Sequence, residues 1–305
     1  MILEPPTPEQ LACIYSELGI TPGSMKRDVE YLKQWLEQQP HLPRGIDDRL
    51  LRNMLIFRKN RLEKVKETID LMYSVKTCAP EFLGNRDPLD SDLQIAIDSI
   101  FCYPFPKLTP EGSRVVFFKA LDPNPEIFDF SRAVKLTLMA ELIATLEDTC
   151  LNAVIVIDFR GASLAHTATM TLPLVKKFLF IAQKAFPIRP KAIHILYARP
   201  LVGKIYPLFK PFLKKKIADR VHIHSGGLGD IFEHIPQSMF PEDYGGNEPP
   251  TEVIHESWKK KLIEFRDWYL ADDKLLVDEA KRPGKPKSFH DMFGFEGSFR
   301  QLSVD

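Results

Sequence analysis

The sequence predicts an α/β fold in which helices flank a mostly parallel sheet, with an all-α module in front of it. Between residues 112 and 224, short apolar runs alternate with longer segments of helical spacing, which is the order of parallel βαβ units. The run from Val154 to Ile157 is apolar at every position, as is typical of a strand covered on both faces. We therefore expect three segments, a helical module at 1–80, an α/β domain at 90–247 and a C-terminal helix with a tail at 248–305.

The N-terminal module is predicted to contain four helices. Thr21-Pro22-Gly23 separates the first two, and Ser24 is the expected N-cap of the second. Either Asp47 or Asp48 could cap the third helix, whose apolar residues keep a helical spacing. The predicted helices cover 8–18, 24–38, a stretch that begins near residue 48, and 62–77. The stretch 95–101 is too weakly patterned to assign.

In the α/β domain, predicted strands and helices alternate along the chain. Ser131 is the expected N-cap of the first long helix. Strands are predicted at 114–119, 153–159, 192–197 and 221–224, and helices at 131–149, 169–186 and 199–213. Beyond this domain, 252–272 is predicted to form one helix with an apolar stripe, and the chain from Lys281 onward is predicted to be a polar tail.

Composition limits the class of partner. The chain has 305 residues, with 41 Lys and Arg balanced by 41 Asp and Glu, so no overall positive field favours nucleic acid. No apolar run approaches the length that a membrane-spanning helix needs, and the first residues do not resemble a signal peptide. Cys13, Cys78, Cys102 and Cys150 are scattered and are expected to be reduced, buried thiols. We expect a cytoplasmic monomer that associates only transiently with membranes.

Several stretches of the chain together resemble one family. The strands, helices and basic cluster of 152–246 end in Phe-Pro-Glu-Asp-Tyr-Gly-Gly, and 186–194 and 210–213 are close, specific matches. On these residues the chain is similar to the CRAL-TRIO lipid-transfer family, and 47–77 resembles the family's N-terminal helical module. Residues 297–300 are similar to arthropod members of its α-tocopherol-transfer-like branch. The resemblance implies a CRAL-TRIO lipid-binding domain with a lid helix, which carries one lipid and exchanges it at membranes.

The resemblance also implies a phosphoinositide-binding cluster. Matched by position to the tocopherol carrier, the cations that would contact phosphoinositide head groups are Arg58, Arg189, Lys191, Lys216 and Arg220. Without the resemblance, Lys216 and Arg220 are four residues apart, which on a helix places them on one face. Each cation near an anionic leaflet contributes about 1 kcal/mol, enough together for reversible docking. A solvated run of charges is the alternative interpretation.

The segment 199–213 is predicted to be an amphipathic lid helix. Its apolar face comprises Val202, Ile205, Phe209, Phe212 and Leu213, whereas Lys204 and Lys210 lie off that face. At about 1.5 Å per residue it would be roughly 20 Å long, too short to span a bilayer but able to lie in its surface. An ordinary amphipathic helix packed on the core is the alternative. The family resemblance implies a helix that covers the cavity in solution and inserts at the membrane.

The cavity is expected to be lined by apolar residues of the predicted strands and helices, and part of this set is expected to be plain core. The candidates are Leu138, Leu142, Ile155, Ile157, Phe178, Ile181, Phe186, Ile193 and Ile195, together with Ile205 and Phe209 of the lid. Ser163, Thr167 or Tyr197 could orient a hydroxyl group of the ligand.

Two motifs suggest other chemistry. Ser163 lies in Gly-Ala-Ser-Leu-Ala after a strand, similar to the nucleophile elbow of hydrolases, but the last position is Ala and Asp158 precedes the serine. His194 or His222 could act as a base only through favourable geometry. His222 and His224 alternate on a strand, but no nearby Cys or carboxylate set completes a zinc site. We expect neither an enzyme nor a metal site, and no cofactor beyond a bound lipid.

The sequence thus predicts a carrier for a small hydrophobic lipid such as a tocopherol, a retinoid or a carotenoid, which exchanges this lipid at anionic phosphoinositide membranes. A phosphatidylinositol or phosphatidylcholine exchange protein is one alternative. A trafficking adaptor that binds phosphoinositide without transporting a lipid is another.

Overall fold

The computed structural model describes residues 2–197, 201–224 and 227–294 and confirms the predicted α/β class. Its five-stranded sheet has the order β1-β2-β3-β4-β5. The strands β2 to β5 are parallel to one another, and β1 pairs antiparallel with β2. The strands are β1 Ile100–Leu108, β2 Ser113–Ala120, β3 Asn152–Asp158, β4 Pro190–Leu196 and β5 Val221–Ile223.

The N-terminal segment is helical, as the sequence predicts. Its helices are α1 Pro8–Leu18, α2 Pro22–Glu37, α3 Asp48–Phe57, α4 Leu62–Cys78, α5 Pro80–Leu83 and α6 Ser91–Ser99. The predicted cap of α2 is wrong: Thr21 is the N-cap, and its side chain accepts a hydrogen bond from the Ser24 N–H. Proline is favourable at the first helical position because its missing N–H would be unpaired there, so α2 begins at Pro22. Asp47 caps α3.

Strand β1 was not assigned from the sequence, and its composition explains why. It contains Pro104 and Pro106, which cannot donate ladder hydrogen bonds and are confined to edge strands or bulges. The register between β1 and β2 shifts between Pro104 and Leu108. The strand is therefore an irregular antiparallel edge that lacks the alternating pattern of a regular one.

The remaining helices of the α/β domain are shorter than predicted. They are α7 Phe130–Glu147, α8 Leu172–Phe180, α9 Val202–Phe209, α10 Lys215–Ala218 and α11 Leu228–Ile231. Asp129, not Ser131, caps α7, because its carboxylate accepts a hydrogen bond from the Arg132 N–H. The predicted helix 169–186 is divided into α8 and a π-helical turn at Ile181–Ala185. The start of the predicted lid helix, residues 199 and 200, lies outside the described residues.

The C-terminal segment differs from its prediction in two ways. The single predicted helix is two helices, α12 Thr251–Glu264 and α13 Arg266–Asp272, which meet at Phe265. The stretch after Lys281 is not a free polar tail, since α14 Phe289–Phe293 docks on α8. Met292 and Phe293 are buried there, and the rings of Phe180 and Phe293 are 5.2 Å apart. The matched stretch 297–300 lies outside the described residues.

The molecule has two hydrophobic cores, and residues of α7 contribute to both. One core joins the N-terminal helices to α7 and α8 and contains residues such as Leu32, Leu142 and Phe186. The other joins β1, β2 and the opposite side of α7 to the C-terminal helices, for example through Phe117 and Trp258. The N-terminal helices and the α/β domain therefore bury their apolar surface against each other.

The four cysteines are free. Cys102 and Cys150 are buried, as predicted, whereas Cys78 is half-buried and Cys13 is exposed on α1. The expectation that all four thiols are buried is therefore wrong for Cys13, because its position on α1 faces solvent.

Candidate functional site

The central strand β3 is sealed on one face only. Val154 and Val156 are 6% and 0% exposed and belong to the second core. Ile155 and Ile157, which point to the opposite face, are half-buried and belong to neither core. A central strand of a parallel sheet is normally covered on both sides. The half-open face is therefore an exception to that pattern.

The neighbouring strands continue this apolar face. Ile155 lies beside Val116 and Ile193, and Ile157 lies beside Phe118 and Ile195. Ile193 and Phe118 are also half-buried, whereas Val116 and Ile195 are buried. At the edge strand β5, the last residue Ile223 is 47% exposed. An apolar surface thus extends across four strands without being fully packed.

The other predicted cavity residues lie in the core that is shared with the N-terminal helices. Leu138, Leu142, Ile181 and Phe186 are almost fully buried there. Phe178 is half-buried and packs against the same core. The predicted cavity residues therefore fall into two groups. Those on helices are packed in the core, and most of those on the sheet lie on its half-open face.

Helix α9 is shorter than the predicted lid and contacts α8 and α7. Its eight residues are followed by a 3₁₀ turn at Lys210–Phe212, because Pro207 and Pro211 each remove a backbone donor. Ile205 is 7% exposed, and Val202, Phe209, Phe212 and Leu213 are half-buried. The Phe209 ring is 6.4 Å from that of Phe130, which in turn is 6.0 Å from that of Phe178. Lys204 and Lys210 are exposed, as predicted for the outer face.

One polar side chain fastens the end of this lid segment. The Gln183 side chain donates to the Phe212 carbonyl at 3.0 Å and accepts from the Lys214 N–H at 2.8 Å. Gln183 lies in the π-helical turn after α8, a feature that often marks functional positions. The sequence offers no signal for this contact, because it joins residues about thirty positions apart through a rare backbone geometry.

The predicted basic residues surround the segment that enters β4, but they differ in their surroundings. Arg58 donates to the Phe186 carbonyl at 2.8 Å and to Thr68 Oγ1 at 2.7 Å, and burial lowers the pKa of its guanidinium group. Arg220 donates to the Pro190 carbonyl. These two arginines hold both ends of the segment 186–190 and therefore have a structural role as well as a charge.

Of the remaining predicted cations, Arg189 is paired and two lysines are free to bind anions. Arg189 forms an ion pair with Glu17 at 3.3 Å. Lys191 and Lys216 are exposed, and neither has an ion-pair partner within the part of the chain that the structure describes. Helix α10 ends at Ala218, so the prediction that Lys216 and Arg220 share one helical face is wrong.

Lys184 and Lys214 lie beside Arg58 and are not among the five predicted phosphoinositide contacts. Burial lowers the pKa of Lys214, and the positive charges of Lys184 and Arg58 lower it further. Both lysines are exposed, and the Lys184 Nζ lies 4.5 Å from the centre of the Phe180 ring. Mutual repulsion of this kind favours an anion at the same place, so these two lysines extend the basic surface.

The structure gives the hydrolase-like serine a structural role. Ser163 and His166 form a capping box at the start of a 3₁₀ turn, with Ser163 Oγ 3.0 Å from His166 Nδ1. Asp158 binds Arg160 and accepts a hydrogen bond from the Tyr244 hydroxyl, so its carboxylate is occupied. His166 Nε2 has no hydrogen-bond partner among the described residues. A nucleophile, base and acid are therefore not assembled here.

Other openings lie away from the lid. A groove of about 370 Å³ at the carboxyl ends of β2 and β3 is lined by residues that include Lys119, Arg160 and Tyr244. A void of about 20 Å³ is lined by residues that include Arg114, Glu141 and Asp148. Neither is lined by a residue of α9 or by Ile155, Ile157 or Ile193.

Two features are absent from the described part of the chain. No group of three or more His, Cys, Asp or Glu side chains is arranged to hold a metal ion. No helix among residues 2–197, 201–224 and 227–294 is both long and apolar enough to cross a bilayer.

Comparison with known proteins identifies the family. Residues 99–246 match the family described as CRAL/TRIO domain, and residues 21–93 match the Pinta-like UBA domain. The chain is 30% identical to mouse (Mus musculus) alpha-tocopherol transfer protein-like over 284 residues, which are 88% of this chain and 81% of that protein. This chain belongs to the CRAL-TRIO family. It is thus a member of a family of lipid-binding and lipid-transfer proteins.

Two more distant likenesses were also found. The CRAL-TRIO chain is 21% identical to human (Homo sapiens) clavesin-2 over 283 residues, 92% of this chain and 85% of that protein. It also resembles the solved structure titled "Crystal structure of Sfh5", with a TM-score of 0.45 and 17% identity over 80% of this chain and 99% of that one.

Proposed function

We propose that this protein is an intracellular, non-catalytic carrier that binds one small hydrophobic lipid between the sheet and α9 and exchanges it at phosphoinositide-containing membranes. A tocopherol, a retinoid or a carotenoid has the chemistry that this surface favours, since each is mostly apolar and has few polar atoms. The carrier is proposed to be a cytoplasmic monomer that associates transiently with membranes.

One observation carries the proposal, namely the half-open apolar face of the central strands. Ile155, Ile157 and Ile193 are apolar side chains at the middle of a sheet, yet they pack into neither core. A lipid that buries roughly 500 Å² of apolar surface away from water is stabilised in the bound state by about 12 kcal/mol, at about 25 cal/mol per Å². Burial of such a ligand on this face would complete the packing that the protein itself leaves unfinished.

The lid and the basic surface support exchange at a membrane. Helix α9 is short, contains Pro207 and is held at its end by the side chain of Gln183, so few backbone contacts oppose its movement. Lys191, Lys216, Lys184 and Lys214 are exposed cations close in the chain to that helix or to the segment that enters β4. Docking of these cations on an anionic leaflet would bring the apolar face of α9 to the lipid surface.

The test is native mass spectrometry with lipid extraction on the protein purified from its own tissue. A single tocopherol, retinoid or carotenoid bound at near one-to-one is expected. Phospholipid alone would favour an exchange protein for phosphatidylinositol or phosphatidylcholine. A protein that stays empty when it is offered each lipid would contradict the carrier function and favour a trafficking adaptor that transports no lipid.

A variant that fills the proposed cavity makes the test site-specific. Ile193→Trp places a large aromatic ring on the half-open face, where it would occupy space meant for the lipid. It is expected to lower lipid occupancy about tenfold, in line with the usual cost of overpacking. Ile263→Trp is the matched control, because Ile263 is 46% exposed on α12. Equal occupancy in both variants, with an unchanged melting temperature, would place the lipid elsewhere.

A further inference from the structure

Four of the eight histidines meet on the face of the sheet opposite the proposed lipid site. His194 of β4 pairs in register with His222 of β5, and both side chains lie on the same side as Leu196 of the second core. His224 follows β5, and His234 follows α11. The ring centre of His194 lies 5.2 Å from that of His222, 5.1 Å from that of His224 and 4.9 Å from that of His234.

The four imidazoles are in contact but meet in different orientations. The rings of His194 and His222 are inclined by 22°, and those of His194 and His224 by 23°. Within the described residues, no group of three or more potential ligands is arranged to hold a metal ion. The cluster is therefore built for neutral rings in contact.

Very little negative charge compensates this cluster. His194 Nδ1 and His224 Nε2 are 2.8 Å apart, so one nitrogen must donate and the other must accept. The carboxylate of Asp230 lies 4.0 Å from His224 Nδ1, and the other charged groups that act on His194 are His222, His224 and His234 themselves. His194 is 2% exposed and His224 is 9% exposed. A second proton in this cluster would place like charges within a partly dry site.

The pKa values follow this arrangement. Burial, and then the neighbouring histidines, lowers the pKa of His194 to about 3. Burial also lowers the pKa of His224, although Asp230 opposes that effect. A histidine whose folded pKa lies below its ordinary value of about 6.5 stabilises the folded arrangement fully above pH 6.5, and this stabilisation is lost as the pH falls from 6.5 toward the folded pKa.

We propose that this histidine cluster is an acid-sensitive latch that fastens β5 to the sheet and, on acidification, releases β5 together with α10 and α9. Edge strand β5 has three residues. The backbone bonds from Ile193 N–H to the Arg220 carbonyl and from His224 N–H to the Ile195 carbonyl flank it. Such short edges open at low cost, and α9 is joined to β5 through residues 210–220, which include α10. This inference rests on the proposed function in one respect, since an opened α9 is useful for lipid release.

The test is hydrogen exchange of the full chain, without lipid, at pH 7.5 and pH 5.5, with correction for the intrinsic exchange rate. His194, whose pKa is lowered to about 3, is expected to raise the opening of peptides that cover 202–224 about tenfold between these pH values, and His224 is expected to increase this effect. Peptides from β2 are expected to stay protected. Because no lipid is present, failure of the carrier function would leave this result unchanged.

Variants make the assignment specific. His194→Gln and His224→Gln each keep a polar side chain but cannot take up a proton. His194→Gln is expected to reduce the pH effect about tenfold, and His224→Gln is expected to reduce it as well. His290→Gln, at an exposed position of α14, is the matched control and is expected to retain the full effect. An absence of pH dependence in 202–224, an unchanged effect in both variants, or opening of 221–224 without 202–209 would overturn the latch.

Discussion

Arg58 and Lys191 carry the same charge but occupy different surroundings. The Arg58 guanidinium is partly buried and donates hydrogen bonds to three groups of the protein, whereas Lys191 is exposed on β4. A substitution at each position therefore tests a different property. If an Arg58 variant lost membrane binding, the cause could be the missing charge or the missing hydrogen bonds within the protein. Substitution of the exposed lysines changes the charge alone.

We predict that the double variant Lys191→Gln with Lys216→Gln weakens binding to vesicles that contain phosphoinositide by about 2 kcal/mol, roughly thirtyfold, because each lysine near an anionic leaflet contributes about 1 kcal/mol. Its melting temperature is expected to stay that of the unmodified protein. Vesicle cosedimentation at several salt concentrations measures the effect.

Two controls accompany this experiment. Lys26→Gln with Lys260→Gln removes two exposed lysines from α2 and α12 and is expected to leave vesicle binding unchanged. Arg58→Met is expected to lower the free energy of unfolding by about 2 kcal/mol, since it leaves the Phe186 carbonyl unpaired. Equal losses of binding in the two lysine pairs would show a diffuse charge effect and no localised site.

At the scale of elements, the C-terminal segment acts as a strap across the helices. Asp70 of α4 binds Arg282 at 2.8 Å and Lys287 at 2.7 Å. Beyond them, α14 inserts Phe293 against α8. The same α8 contacts the lid helix α9, so the strap supports one wall of the proposed lipid site. A polar composition alone would suggest a free tail, and the ion pairs explain why it is ordered.

We predict that Asp70→Asn detaches this strap. Loss of the two charge-assisted bonds is expected to cost about 2 kcal/mol and to raise the rate of tryptic cleavage after Lys287 roughly thirtyfold in limited proteolysis. Asp219→Asn, at an exposed position, is the matched control. Cleavage at an unchanged rate would show that the buried Phe293 holds the strap without the ion pairs.

The pH dependence of the strap is separate from that of the histidine cluster. Burial acts to raise the pKa of Asp70, but Lys287 and Arg282 outweigh it, so its pKa lies below the ordinary value of 3.8. The ion pairs of Asp70 are therefore complete above that pH and weaken only as the pH falls below it. Opening of peptides 202–224 between pH 7.5 and 5.5 therefore does not report these ion pairs.

At the scale of the whole molecule, buried ion pairs and a common core join the helical module to the rest. Lys76 of α4 lies 2.8 Å from Asp272 of α13, and Arg86 lies 2.6 Å from the same carboxylate. All three side chains are at most 3% exposed. Breaking such a pair by removing one partner leaves an uncompensated buried charge, so separation of the two parts would be costly.

We predict that the protein unfolds in one cooperative transition. Because the N-terminal helices and α7 and α8 share one core, neither part has a complete apolar interior of its own. Scanning calorimetry should give equal calorimetric and van't Hoff enthalpies, and near- and far-UV circular dichroism should change together. Two resolved transitions would show that the helical module is an independent folding unit.

Local patterns in the sequence were enough to predict the α/β class, the helical N-terminal segment and the family. The signals for these features lie within a few residues of one another. Examples are the apolar run of β3, the helical spacing of α7 and the stretches 186–194 and 210–213. Periodicity and turn chemistry act over such short distances, so these features can be recognised without a structure. The boundaries were less accurate where a cap or a proline shifted a helix end, as at Thr21 and Asp129.

Only the tertiary structure decided which residues meet. It placed Ile155 and Ile157 on an unsealed face while Leu138 and Leu142 joined a core, a difference that no apolar pattern contains. It also brought Gln183 to the lid, Asp70 to the strap and four histidines into one cluster. These contacts join residues that are far apart in the chain, and their energies depend on burial and orientation, which are properties of the packed molecule and not of any segment.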